Sequence, residues 1–252
     1  MSIPIFVINL KRSPERRAFM EKQLQELGLS SEFLVATDGR ELTSTKVEEL
    51  YDQTASLKYL KQPLSTNEVA CADSHLRIYE EIIKRNLPYA LILEDDGLLD
   101  SRIKDVLHDK FLKSSDFDWL QIGYSSGWHF FTTWWQSSWL QISRRPLFFA
   151  YFLAKLPYIF PLSLYEELRN RLDQNQPQIR IFARPLYLTN AYIVTKAGAE
   201  KLVACGRPIR FAADMLPNKA RLQSPHFKMR GLVPSLVKPS HSFPSDIWSK
   251  PN

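Results

Sequence analysis

Tyr89-Ala-Leu-Ile-Leu-Glu-Asp-Asp96 is an unbroken apolar run that stops on three consecutive carboxylates. A run this short, without polar alternation, predicts a β-strand covered on both faces. Working backwards, Ser65-Thr66-Asn67-Glu68 matches a capping box, where Ser and Glu side chains each satisfy a free backbone amide of the other. Val69, Ala72, Leu76, Tyr79 and Ile83 then recur at helical spacing towards Asn86. Further back, Phe33–Ala36 predicts a strand closed by Thr37-Asp38-Gly39, and Ile3–Leu10 predicts another. The helix between them opens at Ser13-Pro14, carries the apolar stripe Phe19, Met20, Leu24 and Leu27, and stops at Gly28.

Working forwards, Trp119–Ile122 and Ala191–Val194 predict two more strands. A short helix over Ala197–Cys205 follows the second and is stopped by Gly206. Strands alternating with helices predict an α/β domain with a largely parallel sheet. Open sheets of this kind bind ligands at the carboxyl ends of their strands. Asn9 to Arg12, Asp38 and Glu94–Asp96 therefore fall on one rim.

The 252 residues are 44% hydrophobic and 24% charged, a composition that supports a packed core and argues against disorder. Two cysteines, Cys71 and Cys205, exclude a disulfide scaffold and a zinc ribbon or finger. Cys71 reads as a small core residue, and Cys205 suggests no chemistry. The net charge of +6 is unevenly spread. Residues 1–100 carry 12 basic and 17 acidic side chains, whereas residues 144–230 carry 15 and 5. One half is suited to cations and the other to something anionic. The opening MSIPIFVINLKR has neither a basic lead nor a cleavage site and reads as a strand, not a signal peptide. Pro146–Tyr165 is apolar, but Lys155, Pro157 and Pro161 argue against a spanning helix.

Glu94 and Asp96, two apart at a strand end, offer the hard oxygens that Mg²⁺ or Mn²⁺ prefers. A solvated strand-end turn is the plainer alternative. The blocks NLKRSPERR (Asn9–Arg17), VATDG (Val35–Gly39), LSTNEVACADSH (Leu64–His75) and LILEDD (Leu91–Asp96) resemble glycosyltransferase family 25. That family includes bacterial lipooligosaccharide galactosyltransferases and relatives acting on collagen. AYIVTKAGAEKL (Ala191–Leu202), AADMLP (Ala212–Pro217) and Ser245–Ile247 continue the likeness in order. Two positions depart from the family pattern: Ala70 replaces a glycine, and Met215 stands where relatives often carry an acidic or aromatic residue.

The resemblance implies a GT-A-type, Rossmann-like nucleotide-sugar-binding fold with a DxD-like motif. Glu94 and Asp96 would then hold Mn²⁺ (or Mg²⁺) against a donor diphosphate, with Asp95 beside them. Arg12 or Arg16 would face the phosphates, as guanidinium forks suit phosphate oxygens, while Arg17 suits an exposed helix start. Asn9 and Asp38 would contact uracil or ribose, although Asp38-Gly39 is equally a tight turn. Ser74 and His75 would lie near the donor pocket, against the alternative of packed helical residues. Asp214 would serve as the base of an inverting transfer, against the alternative of a carboxylate at a helix N-terminus. His241 would be a further metal ligand, against that of a surface tail.

On this reading, residues 1–123 form the nucleotide-sugar and metal-binding core. Residues 124–188 form an aromatic- and Arg-rich, partly helical insertion, and 189–252 complete the core and add a tail. Trp119, Trp128, Trp134, Trp135 and Trp139 crowd the start of the insertion, with Arg144, Arg145 and Lys155 following. These rings could stack on an acceptor sugar, rest on an anionic membrane, or pack together.

The expected function is metal-dependent, inverting transfer of a hexose, galactose by resemblance, from a UDP-sugar to a lipooligosaccharide. It would take place in the cytoplasm, peripherally at the inner face of a bacterial inner membrane. The bacterial setting is inferred from the compact length and the absence of a signal sequence. A glucosyl- or N-acetylhexosaminyltransferase is the alternative among enzymes. A non-catalytic membrane or nucleic-acid binder is the alternative outside them. No nucleic-acid reader motif is present, so nucleic acid is not expected as a partner.

Overall fold

The computed structural model describes residues 3–60, 62–124, 176–182, 185–240 and 242–243. In chain order the elements are β1 (Ile5–Asn9), α1 (Pro14–Glu26), β2 (Glu32–Val35), α2 (Ser44–Leu50), α3 (Gln53–Leu57), α4 (Thr66–Lys84), β3 (Tyr89–Glu94) and β4 (Gly97–Leu99). A 3₁₀ turn (Ser101–Val106), α5 (Asp109–Leu112), β5 (Trp119–Gly123) and β6 (Gln178–Arg180) come next. The described elements end with β7 (Ala191–Thr195), α6 (Lys196–Gly206), α7 (Leu216–Gln223), β8 (Met229–Val233) and β9 (Val237–Pro239).

The strands form one sheet in the order β2-β1-β3-β7-β5-β8-β6, and β9 joins β4 to the end of β5. β1 is parallel to β2 and to β3, as the alternation of strands and helices predicts. β5 is likewise parallel to β8, but other pairs depart from that prediction. β7 is antiparallel to both β3 and β5, and β6 is antiparallel to β8, so the sheet is mixed. Local apolar pattern marks a buried strand but carries no record of its direction, which depends on how the chain returns. β6 lies in the last part of the expected 124–188 insertion, yet it is a strand of the main sheet.

The pleat sorts side chains onto two faces. Phe6, Ile8, Ala90, Ile92, Tyr192 and Val194 pack towards α4, α6 and α7. Ile5, Val7, Leu91, Leu93, Ala191 and Ile193 pack on the other face with Met20 and Leu24 of α1. The same parity continues past the strand ends. It sends Glu94 towards α4 and brings Asn9 and Asp95 to the α1 side. The separation of roles at the site follows from this alternation.

Two helix signals are formed as read. The Ser65–Glu68 capping box is complete, and Gly28 takes φ +65°, a left-handed conformation that a side chain would strain. Two others differ in detail. Ser13 holds the N-cap position of α1 without a side-chain cap bond, its carbonyl instead accepting from Asn9 Nδ2 at 3.1 Å. Gly206 is the last residue of α6, and Arg207 follows it at the cap. Trp119 is fully buried and stacks on Tyr192 with centroids 3.7 Å apart, so this ring belongs to the core. Among the described residues no helix is long and apolar enough to cross a membrane. Pro146–Tyr165, the other tryptophans of the aromatic stretch, Arg144, Arg145, Lys155, His241 and Ser245–Ile247 lie outside the described residues.

Candidate active site

The ends of β1, β2 and β3 and the first turns of α4 enclose a cleft of about 710 Å³, open mouth included. Arg12 and Asp38 face the cleft from the loops after β1 and β2, and Arg16 from the first turn of α1. Ser74 and His75 face it from α4, and Glu94, Asp95 and Asp96 from the end of β3. Asn9 stands behind this wall and donates to Asp95 at 2.7 Å.

The acidic triplet is held from two sides, as the pleat dictates. On the α1 side, Arg16 donates to Asp95 at 3.1 Å and lies 3.6 Å from Asp96. Burial raises the Asp95 carboxyl even against the bonds from Asn9 and Arg16. Burial followed by the charges of Glu94 and Asp95 outweighs Arg16 at Asp96 and pushes its carboxyl up to about 7. On the α4 side, Glu94 Oε1 accepts from Thr189 Oγ1 at 2.5 Å and pairs with His75 Nε2 at 3.2 Å. Burial alone would raise Glu94, but the bond and charge of His75, the Thr189 hydroxyl and the Arg16 charge hold it below the ordinary carboxylate range. With Glu94 ionised, Nε2–H donates to it and Nδ1 accepts from the Tyr192 hydroxyl at 2.7 Å. Tyr192 and Tyr79 share a further bond at 3.0 Å.

The loop after β2 is clamped onto α4. The Thr37 amide donates to Ser74 Oγ at 2.9 Å, and the Thr37 hydroxyl donates to Asp73 at 2.6 Å. Arg207 completes the clamp at 2.7 Å from Asp73. A Cβ on Gly39 would sit 2.3 Å from Asn67 Oδ1, so glycine is what lets this loop lie on the start of α4. Asp38 is used as a turn residue, accepting from the Arg40 amide at 3.0 Å, and it also pairs with Arg12 at 2.6 Å. Arg17 is turned outward, bonded to Glu21 at 2.8 Å and lying over Phe33.

Asp214 approaches from the turn before α7. Burial and then the Glu94 charge raise its carboxyl above the ordinary range. Leu188, beside Thr189, adopts φ +76°, a strained conformation for a side-chain-bearing residue. No side-chain cap is formed at the start of α7. Asp214 is not on the wall of the cleft itself, but lies near enough to Glu94 to feel its charge.

Reading the sequence overlooked Thr189, Tyr192, Asp73, Asn67 and the placement of Cys71. Cys71 lines the cleft instead of packing as a core residue. Its spacing of four from His75 on α4 was the available signal. Thr189 and Tyr192 lie about a hundred residues from their partners and carry no local signal.

A buried excess of carboxylate over guanidinium fits a hard divalent cation that shares its coordination with a phosphate-bearing ligand. The chain belongs to glycosyltransferase family 25: the family described as "Glycosyltransferase family 25 (LPS biosynthesis protein)" matches residues 2–217. The mixed α/β sheet, with its cleft at the carboxyl ends of β1 to β3, is consistent with a GT-A-like, Rossmann-type fold. A Glycosyltransferase 25 family member of Aedes aegypti is 39% identical over 95 residues, covering 36% of this chain and 16% of the relative. Procollagen galactosyltransferase 1-A of Xenopus laevis is 33% identical over 126 residues, 47% of this chain and 21% of the relative. Inactive glycosyltransferase 25 family member 3 of Mus musculus is 32% identical over 126 residues, with the same coverage of 47% and 21%. The chain therefore matches about a fifth or less of the length of these relatives.

Proposed function

We propose that the chain is a metal-dependent, inverting glycosyltransferase that moves a hexose, galactose in the first instance, from a UDP-sugar to a saccharide acceptor. The three carboxylates Glu94, Asp95 and Asp96 lining one cleft, with Arg16 close to Asp95 and Asp96, carry this reading. Family membership supports glycosyl transfer, and the procollagen galactosyltransferase relative supports galactose. A lipooligosaccharide acceptor is favoured by the family's description as an LPS biosynthesis protein. Such an acceptor would place the protein peripherally at the cytoplasmic face of a bacterial inner membrane.

Glu94 and Asp96 would hold the cation, Mn²⁺ or Mg²⁺, which would supply Lewis-acid neutralisation of the departing diphosphate. Asn9 and Arg16 fix Asp95, and this keeps the turn after β3 in place. His75 and Thr189 keep Glu94 ionised and oriented. Arg12 and Arg16 offer guanidinium groups to the diphosphate. Asp214 accepts the proton of the acceptor hydroxyl as its oxygen bonds to the anomeric carbon. The bond from that carbon to the UDP oxygen breaks, and UDP leaves with the electron pair. A carboxyl raised by burial is better matched to this proton transfer near neutral pH than a free aspartate.

The test is UDP release from a panel of UDP-hexoses with Mn²⁺ and a truncated lipooligosaccharide. Release with UDP-galactose, reduced by at least about 10²-fold in Asp96→Ala, is expected. Full activity in Asp96→Ala would refute the role of the triplet. The relative named inactive favours a second, non-catalytic reading, which would show as no release with any donor although UDP binds.

A further inference from the structure

We propose that Cys71, His75 and Glu94 form a second cation seat, for a borderline-soft ion such as Zn²⁺, in the wall of the same cleft. A sulfur, an imidazole nitrogen and a carboxylate oxygen from these residues lie within 4.8 Å of one another. Three such ligands with a position left for water match the donor set of an open zinc site. The geometry is built from two elements. Cys71 and His75 are four apart on one face of α4, and the pleat of β3 turns Glu94 towards that face. All three line the cleft, which gives an ion a path from solvent.

The surroundings suit an ion better than a bare cysteine. Glu94 Oε1 takes the bonds from both His75 and Thr189, and no hydrogen bond reaches Oε2 from the described residues. His75 Nδ1 meets Tyr192, which meets Tyr79, and either hydroxyl of that pair can donate. The ring can therefore carry its proton on Nδ1, donate it to Tyr192 and present the Nε2 lone pair, the outer-shell arrangement of metal-bound histidine. On binding, the Cys71 thiol loses its proton to solvent and its sulfur bonds the ion. Burial, with Glu94, Asp214, Glu68 and Asp96 nearby, opposes the bare thiolate, and a cation relieves that opposition. Mn²⁺ and Mg²⁺ favour oxygen donors, so this seat selects against the donor's own cation. Glu94 belongs to both sets, and an ion here withdraws it from the triplet.

The test is a Co²⁺ titration of the metal-free full chain, followed by its ultraviolet and visible absorption. A thiolate-to-cobalt charge-transfer band that saturates at one ion per chain and is removed by Zn²⁺ is expected. The band should persist in Cys205→Ser and vanish in Cys71→Ser. Tyr192→Phe should weaken Co²⁺ binding by roughly 10–100-fold. Zn²⁺ should also protect Cys71 of the unmodified sequence from alkylation, which keeps the proposal testable if Cys71→Ser folds poorly. Absence of the band, its survival in Cys71→Ser, or unprotected Cys71 would overturn the proposal. Asp96→Ala should retain the band, so failure of this seat is distinguishable from failure of the transferase reading.

Discussion

The two ends of helix α4 handle charge in opposite ways. Beside its first turns, Glu94, Asp95 and Asp96 line the cleft, Arg16 of α1 meets the last two, and burial leaves Asp95 and Asp96 with raised carboxyls. At its last turn, Arg85 bonds Glu32 at 2.6 Å and Glu81 at 2.8 Å in open solvent, and both glutamates are held below the ordinary range. In both places a guanidinium serves more than one carboxylate. The difference is solvent. Water screens the rear cluster and leaves it in balance, whereas burial of the cleft carboxylates leaves an unmet demand for positive charge. The same residue types are a solubilising surface at one end and a binding site at the other.

Four substitutions bear on this contrast, in descending order of expected effect. Asp214→Asn should lower turnover by about 10²–10⁴-fold while leaving UDP affinity unchanged. Equal loss of binding and turnover would make Asp214 a donor contact and not the base. Arg16→Met removes the counter-charge of a buried pair, and loss of about 3 kcal/mol of unfolding free energy is expected in urea titrations. Mn²⁺ should restore part of that loss; unchanged stability would place the triplet in effective contact with water. Asp73→Asn breaks the Arg207 pair beneath the Thr37 loop and should cost about 1.5–3 kcal/mol, with a raised KM for donor.

Glu32→Gln is the smallest change, under about 1 kcal/mol after allowance for solvent screening. Because the folded-state pKa of Glu32 is depressed, its contribution is present above the unfolded value and lost as pH falls through the folded one. Wild type and Glu32→Gln should therefore differ slightly at neutral pH and converge in strong acid. A gap that widened in acid would contradict this assignment.

What could be read beforehand follows the range of the interactions involved. The capping box at Ser65, the stop at Gly28 and the strand ending at Glu94 are local, and they place most of the cleft wall on one rim. The antiparallel course of β7 is not local, so neither Thr189 nor Tyr192 could be assigned to Glu94 and His75. Cys71 was misplaced for a related reason. A helical stripe shows which residues share a face, but not whether a neighbouring strand covers that face fully or stops short of it. Arg16 is one of two arginines, with Arg12, that the resemblance turns towards the phosphates, yet its bond to Asp95 depends on β1 and β3 lying side by side.

The most direct test of the cation-dependent donor site is calorimetric titration of UDP into the full chain, with and without Mn²⁺, in wild type and Asp96→Ala. We expect binding that needs Mn²⁺ and is lost in the variant. UDP binding of equal strength without the ion, or unchanged in Asp96→Ala, would contradict the assignment of the triplet at the end of β3.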